Sequence, residues 1–270
     1  MRIEKELDVA IGEGVYRLAS DDEYLEHVKG GFEPHMVDLF NTLIQKKYYV
    51  LDVGANIGCT SILFGERAHR VFAFEPCPST FRFLEKNISR SGLKNIELNN
   101  LGLGSEPGQS EITYASSNRS GAFVSDKTRA SAGHVTETIL IKRLDDVVAE
   151  LNIPRIDFIK IDVEGFEQHV LDGGKKAITA FMPVVVLELN HWCLNALQRI
   201  CVPDFFDHLR SMFPVLCAVD GASYANLHEE NESYAVMYQH IVNFKYANIV
   251  AAFNDAQLRR FFQVFRHSLL

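Results

Sequence analysis

The sequence lacks the features of a disulfide-stabilised or membrane-spanning protein. Its five cysteines are odd in number and form no CxxC pair, so neither a disulfide framework nor a zinc site is predicted. The N-terminus has no apolar signal core, and no apolar run is long enough to span a bilayer. We therefore expect a reduced, cytoplasmic compartment and no membrane span.

Basic residues are fewer than acidic ones. The chain has 27 Lys and Arg against 35 Asp and Glu, and its formal net charge is −8. The basic residues are scattered in pairs such as Lys46-Lys47 and Arg259-Arg260. An acidic chain without a basic face binds phosphate backbones poorly. Nucleic acid is therefore not expected as a partner.

What the sequence does contain is a regular alternation of short β-rich runs and helical patterns. Because parallel strands need helical crossovers, this alternation predicts an α/β domain whose parallel sheet is covered on both faces. The predicted strands span residues 48–53, 70–74, 96–101, 156–161, 184–189, 215–219 and 246–253. Ligands of such sheets bind outside the carboxyl ends of the strands, so the residues after each strand are the candidates for function.

The flanking segments are predicted separately from this domain, which we place at residues 46–254. Residues 1–45 form an N-terminal extension that serves as a lid or an oligomer contact. Residues 255–270 form a C-terminal helix packed on the domain, because apolar residues recur there at helical spacing, and a homodimer contact is the alternative use. Residues 105–135 are rich in Ser, Gly, Thr and Asn, which predicts a hairpin around Pro107-Gly108 and then a long mobile loop. We expect part of that loop, Ser116–His134, to shape an acceptor site.

The stretch Asp52–Gly58 follows the first strand and opens a helix, as a cofactor-binding turn does. Gly54 removes a side chain where a ligand must approach the backbone, and Gly58 lets the helix start pack closely on the strand. The helix N-terminus favours a negative group such as a carboxylate. Asp52, at the strand end, is placed to accept a hydrogen bond from a ligand ammonium.

Glu75 ends the second strand about 20 residues on, at the spacing where an acid binds ribose hydroxyls in dinucleotide folds. The competing interpretation is an NAD(P)-dependent oxidoreductase. Its G-x-G-x-x-G fingerprint fails here, since Asn56 and Cys59 occupy the second and third glycine positions. The structural alternative is that the glycines only form a tight turn.

A second dense group of polar residues follows the fourth strand. Asp162 and Glu164 lie at the strand end, beside the expected cofactor. Transfer of a group to a hydroxyl benefits from a base that takes the proton, and the candidates are Asp162, Glu164 and His191. The alternatives are that Asp162 caps the next helix, that Glu164 favours its dipole, and that His191 is a surface histidine.

Strand five raises the question of a metal. Glu188 stands inside an apolar run, where a carboxylate needs a partner. With Asp162 on the neighbouring strand, Glu188 and Asn190 offer oxygen ligands to magnesium, which would lower the pKa of a bound hydroxyl. The alternative, which we favour from the sequence, is a structural carboxylate bonded to a lysine or to the backbone, with no metal.

Four motifs together resemble the FkbM-type methyltransferases: VLDVGANIG (50–58), FEP (74–76), LDD (144–146) and IDFIKIDVEGFEQHVLDGG (156–174). The resemblance covers roughly residues 30–250, and the pair DVGANIG and KIDVEG is its specific part. It implies the Rossmann-like class I methyltransferase fold, with a seven-stranded, mostly parallel sheet, an antiparallel last strand and helices on both faces. It also implies S-adenosylmethionine as cofactor and O-methylation of a hydroxyl on a sugar, polysaccharide or secondary metabolite, usually in bacteria.

The same resemblance implies a place for individual residues, though not which one is the catalytic base. It assigns the methionine portion of the cofactor to Asp52, Gly54, Asn56 and Gly58, the ribose to Glu75, the adenine side to residues 100–102, and a place in the active site to Asp162 and Glu164. The full set of expected cofactor-binding residues also includes Ala55, Pro76, Leu101, Gly102 and Asp162. The alternatives that stay open are an N- or carboxyl-methyltransferase, the oxidoreductase above, and a cofactor-binding protein that has lost catalysis.

Overall fold

The computed structural model describes residues 3–128 and 130–268. The strands are β1 (Lys5–Ile11), β2 (Gly14–Ser20), β3 (Tyr49–Val53), β4 (Arg70–Phe74), β5 (Ile96–Asn99), β6 (Gly102–Leu103), β7 (Gly108–Ala115), β8 (Asn118–Val124), β9 (His134–Lys142), β10 (Phe158–Ile161), β11 (Val184–Glu188), β12 (Val215–Asp220), β13 (Ser223–Asn226), β14 (Asn248–Ala252) and β15 (Arg266–His267). The helices are α1 (Tyr24–His27), α2 (Pro34–Leu43), α3 (Cys59–Arg67), α4 (Pro78–Ser91), α5 (Leu144–Glu150), α6 (Glu167–Gly173), α7 (Lys175–Phe181), α8 (His191–Cys193), a π-helical segment (Leu194–Gln198), α9 (Val202–Met212), α10 (Glu230–Asn243) and α11 (Arg259–Val264).

The main sheet has nine strands in the order β15-β13-β12-β14-β11-β10-β3-β4-β5. The strands β11, β10, β3, β4 and β5 are parallel neighbours, whereas β14 runs antiparallel to both β11 and β12. The predicted fold class is therefore confirmed, including the antiparallel last strand of the predicted set. The sheet is wider than predicted, because the short strands β13 and β15 extend its β12 edge.

Alternate residues of the central strands feed two hydrophobic cores, one on each face of the sheet. Val50 and Phe158 pack with α2, α3 and α4, while Leu51 and Ile159 pack with α5, α6, α7 and α9. This follows from the period of two in a strand, which sends successive side chains to opposite faces. Both faces are apolar, so the strands read as nearly continuous hydrophobic runs.

Residues 105–135 do not form the predicted hairpin and loop. They belong largely to a second sheet of four strands in the order β6-β9-β7-β8, whose hairpin turn falls at Ser116-Ser117 rather than at Pro107-Gly108. Ile112, Tyr114 and Ile139 form a small separate core beneath it. The prediction was wrong because Ser and Thr on the exposed side of these strands read as loop composition, although both faces of a half-exposed strand accept them.

The β1–β2 hairpin and the segment around α11 both pack on the core that contains α3. Val9, Ile11 and Leu18 of the β1–β2 hairpin join the same core as α2, α3 and α4. The predicted C-terminal helix is shorter than residues 255–270: α11 ends at Val264, β15 follows it, and residues 269–270 lie outside the described part. Its apolar face is nevertheless buried, with Phe261 fully enclosed. In residues 3–128 and 130–268, no helix has both the length and the apolarity to cross a membrane.

Candidate functional site

The turn after β3 is held by main-chain contacts. The amides of Gly54 and Ala55 both donate to the carbonyl oxygen of Phe74, at 3.0 Å each. Gly54 has a φ of +81°, and a Cβ there would lie 1.9 Å from the carbonyl oxygen of Asp162. The glycine is therefore required by the close approach of the neighbouring chain segment, and not only, as expected from the sequence, by the approach of a ligand.

Gly58 serves the packing of two helices. It precedes α3 with a φ of +104°, and a Cβ there would lie 2.9 Å from the side chain of Leu84 on α4. The sequence interpretation placed this tight contact between the helix and its own strand, whereas the structure places it between α3 and α4. Gly58 does not line the cavity described below.

Asp52 lies beneath the same turn and is fully buried. One carboxylate oxygen accepts a hydrogen bond from the Ser61 hydroxyl at 2.5 Å, and the other lies 3.6 Å from Nζ of Lys160. Burial raises the pKa of Asp52 above its usual value. Asp52 is not on the cavity wall, so it positions Lys160, which in turn donates to the carbonyl oxygen of Gly54 at 2.9 Å.

Glu75 fixes the other side of the turn. Its carboxylate accepts hydrogen bonds from the amides of Asn56 and Cys77, each at 2.9 Å, and it lines the cavity while being only 7% exposed. Burial raises the pKa of Glu75 to about 7, against the opposing effect of the two amides. A carboxylate has about four acceptor positions, so two remain for a ligand.

The turn after β10 has a similar backbone but a different chemistry. Glu164 has a left-handed φ of +52°, and Gly165 follows with a φ of +92°. The carboxylate of Glu167 accepts from the amides of Val163 and Gly165, at 3.1 and 3.2 Å. Helix α6 begins at Glu167 after Phe166, without a side-chain cap, so the alternative that Asp162 caps it was wrong.

Three carboxylates converge beside this turn: those of Asp162, Glu164 and Glu188 each bring an oxygen within 4.8 Å of the others. Burial and the nearby Asp162 raise the pKa of Glu164 to about 7, and the same two causes raise the pKa of Glu188 well above its usual value. Lys160 lies 3.3 Å from Asp162. Burial acts to lower the pKa of Lys160, but Asp162 and Asp52 outweigh it, so that pKa is raised and the lysine stays charged.

Two predicted site residues lie apart from this cluster. The side chain of Asn190 accepts a hydrogen bond from the amide of Cys193 at 3.1 Å and caps α8. His191 packs against His240 and Phe244 and is not on the cavity wall. Desolvation lowers the pKa of His191, which keeps it neutral near pH 7. Neither residue is placed for the metal or base role considered from the sequence.

One cavity of about 430 Å³ joins the two turns. The predicted residues on its wall are Gly54, Ala55, Asn56, Glu75, Pro76, Leu101, Gly102, Asp162, Glu164 and Glu188. The volume is within the range of small-molecule sites. The carboxyl ends of the parallel strands thus meet at this cavity, as the fold requires.

Much of the remaining wall comes from two segments that the sequence analysis named only as a whole, residues 1–45 as a lid and residues 116–134 as a loop that shapes an acceptor site. Tyr24, His27 and Glu33 come from the N-terminal segment, and Asn118 and Arg119 come from the second sheet. Arg119 is 4% exposed, pairs with Asp21 and lies 3.4 Å from Asp22. These residues carry no recognisable motif, and only the folded chain brings them together with the two turns.

Comparison with known proteins agrees with this architecture. A family model described as the methyltransferase FkbM domain matches residues 52–220, more than half of the chain. Similar curated proteins include the hexuronic acid methyltransferase AglP of Haloferax volcanii, 33% identical over 50% of this chain and 53% of that protein. Another is the 31-O-demethyl-FK506 methyltransferase FkbM of Streptomyces tacrolimicus, 29% identical over 52% of this chain and 65% of that protein.

Two further similar proteins are a curated relative and a solved structure. The protein named Methyltransferase 1 of Beauveria bassiana is 27% identical over 57% of this chain and 64% of its own length. The crystal structure of the methyltransferase FkbM from Methylobacillus flagellatus is 19% identical, with a TM-score of 0.45, over 63% of this chain and 38% of that one. The chain thus spans between about half and two thirds of the length of these curated relatives.

Proposed function

The chain belongs to the FkbM methyltransferase family, and we propose that it transfers a methyl group from S-adenosylmethionine to a hydroxyl on a sugar, polysaccharide or secondary metabolite. The observation that carries this proposal is the continuous cavity that joins the turn after β3 to the carboxylates after β10. The names of the relatives support it, since they include a hexuronic acid methyltransferase, an O-demethyl-FK506 methyltransferase and the 2-O-methyltransferase NoeI.

The residues around the first turn fit S-adenosylmethionine. Glu75 offers two free acceptor positions to a ribose diol. Pro76, Leu101 and Gly102 form an apolar wall suited to adenine. The turn Gly54–Asn56 lies between this wall and the acids of the second turn, where the methionine portion would lie.

The second turn supplies the chemistry that the reaction asks of the protein. When bound, the cofactor supplies an electrophilic methyl group; transfer forms an oxygen–carbon bond, breaks the sulfur–carbon bond and releases S-adenosylhomocysteine and a proton. Asp162 and Glu164 line the cavity, which supports either of them as the base that takes that proton from the acceptor hydroxyl. A carboxylate whose pKa is about 7, as for Glu164, is a better base at neutral pH than an ordinary one.

We assign acceptor recognition to the opposite wall. Tyr24 and His27 of α1 face Asn118 of β8, whose amide lies 3.3 Å from the His27 ring. Phenol, imidazole and amide groups are hydrogen-bond partners for a polyhydroxylated acceptor. In this proposal the N-terminal segment acts as the predicted lid, while the oligomer contact remains a prediction.

Calorimetry tests the cofactor assignment. We expect S-adenosylmethionine and S-adenosylhomocysteine to bind and NADH not to bind. Glu75→Gln should weaken the binding of the two sulfur ligands by about 10- to 100-fold, because hydrogen bonds to a charged group contribute about 1.5–3 kcal/mol. The matched control is Glu97→Gln, which removes an acid paired with Arg70 at the sheet edge and should leave binding unchanged.

Transfer of a labelled methyl group to a panel of acceptors tests the proposed methylation of a hydroxyl. A product methylated on oxygen, identified by mass spectrometry, is the expected result. Transfer confined to amines or carboxylates would instead favour the alternative acceptor classes, and NADH binding without binding of either sulfur ligand would overturn the cofactor assignment.

A further inference from the structure

The three acids that converge in the cavity wall need a positive charge, or protons, to be stable so close together. Asp162, Glu164 and Glu188 each have an oxygen within 4.8 Å of the others, and all three residues line the cavity. Ionised together, three carboxylates at this separation would repel one another strongly, most of all around the buried Glu188. Lys160 lies close to this group, but its ammonium already contacts Asp162, Asp52 and the carbonyl of Gly54.

Glu188 is the member of this group that lacks a partner. Its Oε2 atom is fully buried, and no hydrogen-bond donor among the described residues contacts it. No salt bridge joins it to Lys160 in the described part of the chain, since Lys160 pairs with Asp52 and Asp162. The structural alternative considered from the sequence, a carboxylate bonded to a lysine or to the backbone, is therefore not what the structure shows. A buried carboxylate without a partner is costly unless a cation or a proton neutralises it.

We propose that Asp162, Glu164 and Glu188 form a site for one divalent cation of the hard, oxygen-binding class that includes Mg²⁺ and Mn²⁺. Such ions take carboxylate oxygens at about 2.0–2.6 Å, so two ligands on opposite sides of one ion lie roughly 4–5 Å apart. The observed separation fits a single ion with room for further ligands from the cavity. Carboxylates without sulfur or imidazole ligands favour these metals over zinc or copper.

The ligand set differs from the one that the sequence suggested. Asn190 is used as a helix cap, and Glu164 takes its place because its left-handed backbone turns its side chain back toward the cavity. This role rests on the proposed function: an ion held here would orient an acceptor hydroxyl beside the cofactor turn and lower its pKa, and with the ion bound Asp162 and Glu164 would act as its ligands and not as free bases.

The test is a titration of the chelator-stripped full chain with Mn²⁺, in which electron paramagnetic resonance measures the concentration of the free ion. We expect one ion per chain. Glu188→Gln keeps the shape of the side chain and removes its charge, so it should weaken Mn²⁺ binding at least about 10-fold, given that loss of even an outer partner costs roughly 10- to 100-fold. Glu164→Gln should act likewise. Glu33 is an exposed acid on the same cavity that is not a proposed ligand, so Glu33→Gln should weaken Mn²⁺ binding less than about fivefold.

Binding of S-adenosylhomocysteine, measured on the same samples, reports folding and separates this inference from the proposed function. Intact binding of the sulfur ligand with no Mn²⁺ bound, or with equal Mn²⁺ affinity in the wild type and Glu188→Gln, overturns the metal site alone. If the wild type does not bind S-adenosylhomocysteine, the proposed function is overturned. The metal site would still be supported in that case if the wild type binds Mn²⁺ and Glu188→Gln does not.

Discussion

The turns after β3 and after β10 lie side by side at one edge of the sheet and have similar backbones. Each contains a non-glycine residue with a left-handed φ, Asn56 at +50° and Glu164 at +52°. Each is held by a buried glutamate that accepts backbone hydrogen bonds, Glu75 in the first and Glu167 in the second. Burial raises the pKa of both glutamates to about 7.

The difference is in what each turn presents to the cavity. The first presents neutral residues and main chain, and the second presents carboxylates. Adding atoms to the first turn should therefore impair stability and cofactor binding, whereas removing a charge from the second turn should impair turnover. Substitutions that change only one of these properties test that distinction.

The largest effect is expected for Gly54→Ala. The new Cβ would overlap the carbonyl oxygen of Asp162 at 1.9 Å, and its φ of +81° is strained for alanine. Overpacking and left-handed strain together should destabilise the protein by about 2–5 kcal/mol and abolish cofactor binding. Urea unfolding and calorimetry measure both. Gly121→Ala, where a Cβ meets nothing within 4 Å, is the control, and equal losses in the two variants would show that the contact with Asp162 is not the cause.

Asp162→Asn should give the next largest effect. It leaves the volume almost unchanged and removes a charge, so cofactor affinity should change by no more than a few-fold while turnover falls by about 100-fold or more, the usual contribution of acid–base groups. Turnover with an identified acceptor and calorimetry separate the two quantities. Asp146→Asn, an exposed acid paired with Arg143, should keep wild-type turnover. Unchanged turnover in Asp162→Asn would leave Asp162 with a structural role.

Glu167→Gln should give a smaller, pH-dependent effect. The pKa of Glu167 is raised from 4.5 to about 7 by burial, so its contribution to stability is present below pH 4.5 and is lost as the pH rises through 7. Gln is never ionised and still accepts the two backbone hydrogen bonds. The variant should match the wild type near pH 4.5 and exceed it at pH 8 by about 1–3 kcal/mol in the free energy of unfolding.

The opposite sign is expected at Glu137. Hydrogen bonds from Ser79 and Tyr114 outweigh partial burial and lower the pKa of that carboxyl, so Glu137→Gln should be less stable than the wild type at pH 8. Urea unfolding at the two pH values measures both variants. A gain at pH 8 that appeared also near pH 4.5 would show that ionisation is not the source of the Glu167 effect.

The sequence predicted that the residues of the two turns lie at the cavity, but it did not predict which side chains they contact. Glycines and acids directly after apolar strands mark the cavity edge because parallel strands end together there. By contrast, Lys160 pairs with Asp52 because β10 and β3 are neighbours in a register that sets these two residues opposite each other. That register is a property of the folded sheet, so the sequence alone does not say which acids Lys160 contacts.

The second sheet was missed for a different reason. Its composition is that of a loop, yet His134–Lys142 alternates, with Ile139 and Ile141 buried and Leu140 42% exposed. That period of two was the available signal, and the Ser- and Thr-rich strands around it obscured it. Tyr24 and Arg119 lie in the segments expected to form a lid and to shape an acceptor site, but no pattern singled out these two residues, because they reach the cavity only through tertiary packing.

The position of β14 has a consequence for the order in which the molecule assembles during synthesis. In the sheet order, β12, β13 and β15 are hydrogen-bonded to the parallel strands only by way of β14, although β12 and β13 precede β14 in the chain. A ribosome therefore releases β12 and β13 before the strand that attaches them exists. Until residues 248–252 emerge, the β11 edge next to the acidic cluster is open, and an open edge is a place where a growing chain can pair with a neighbour.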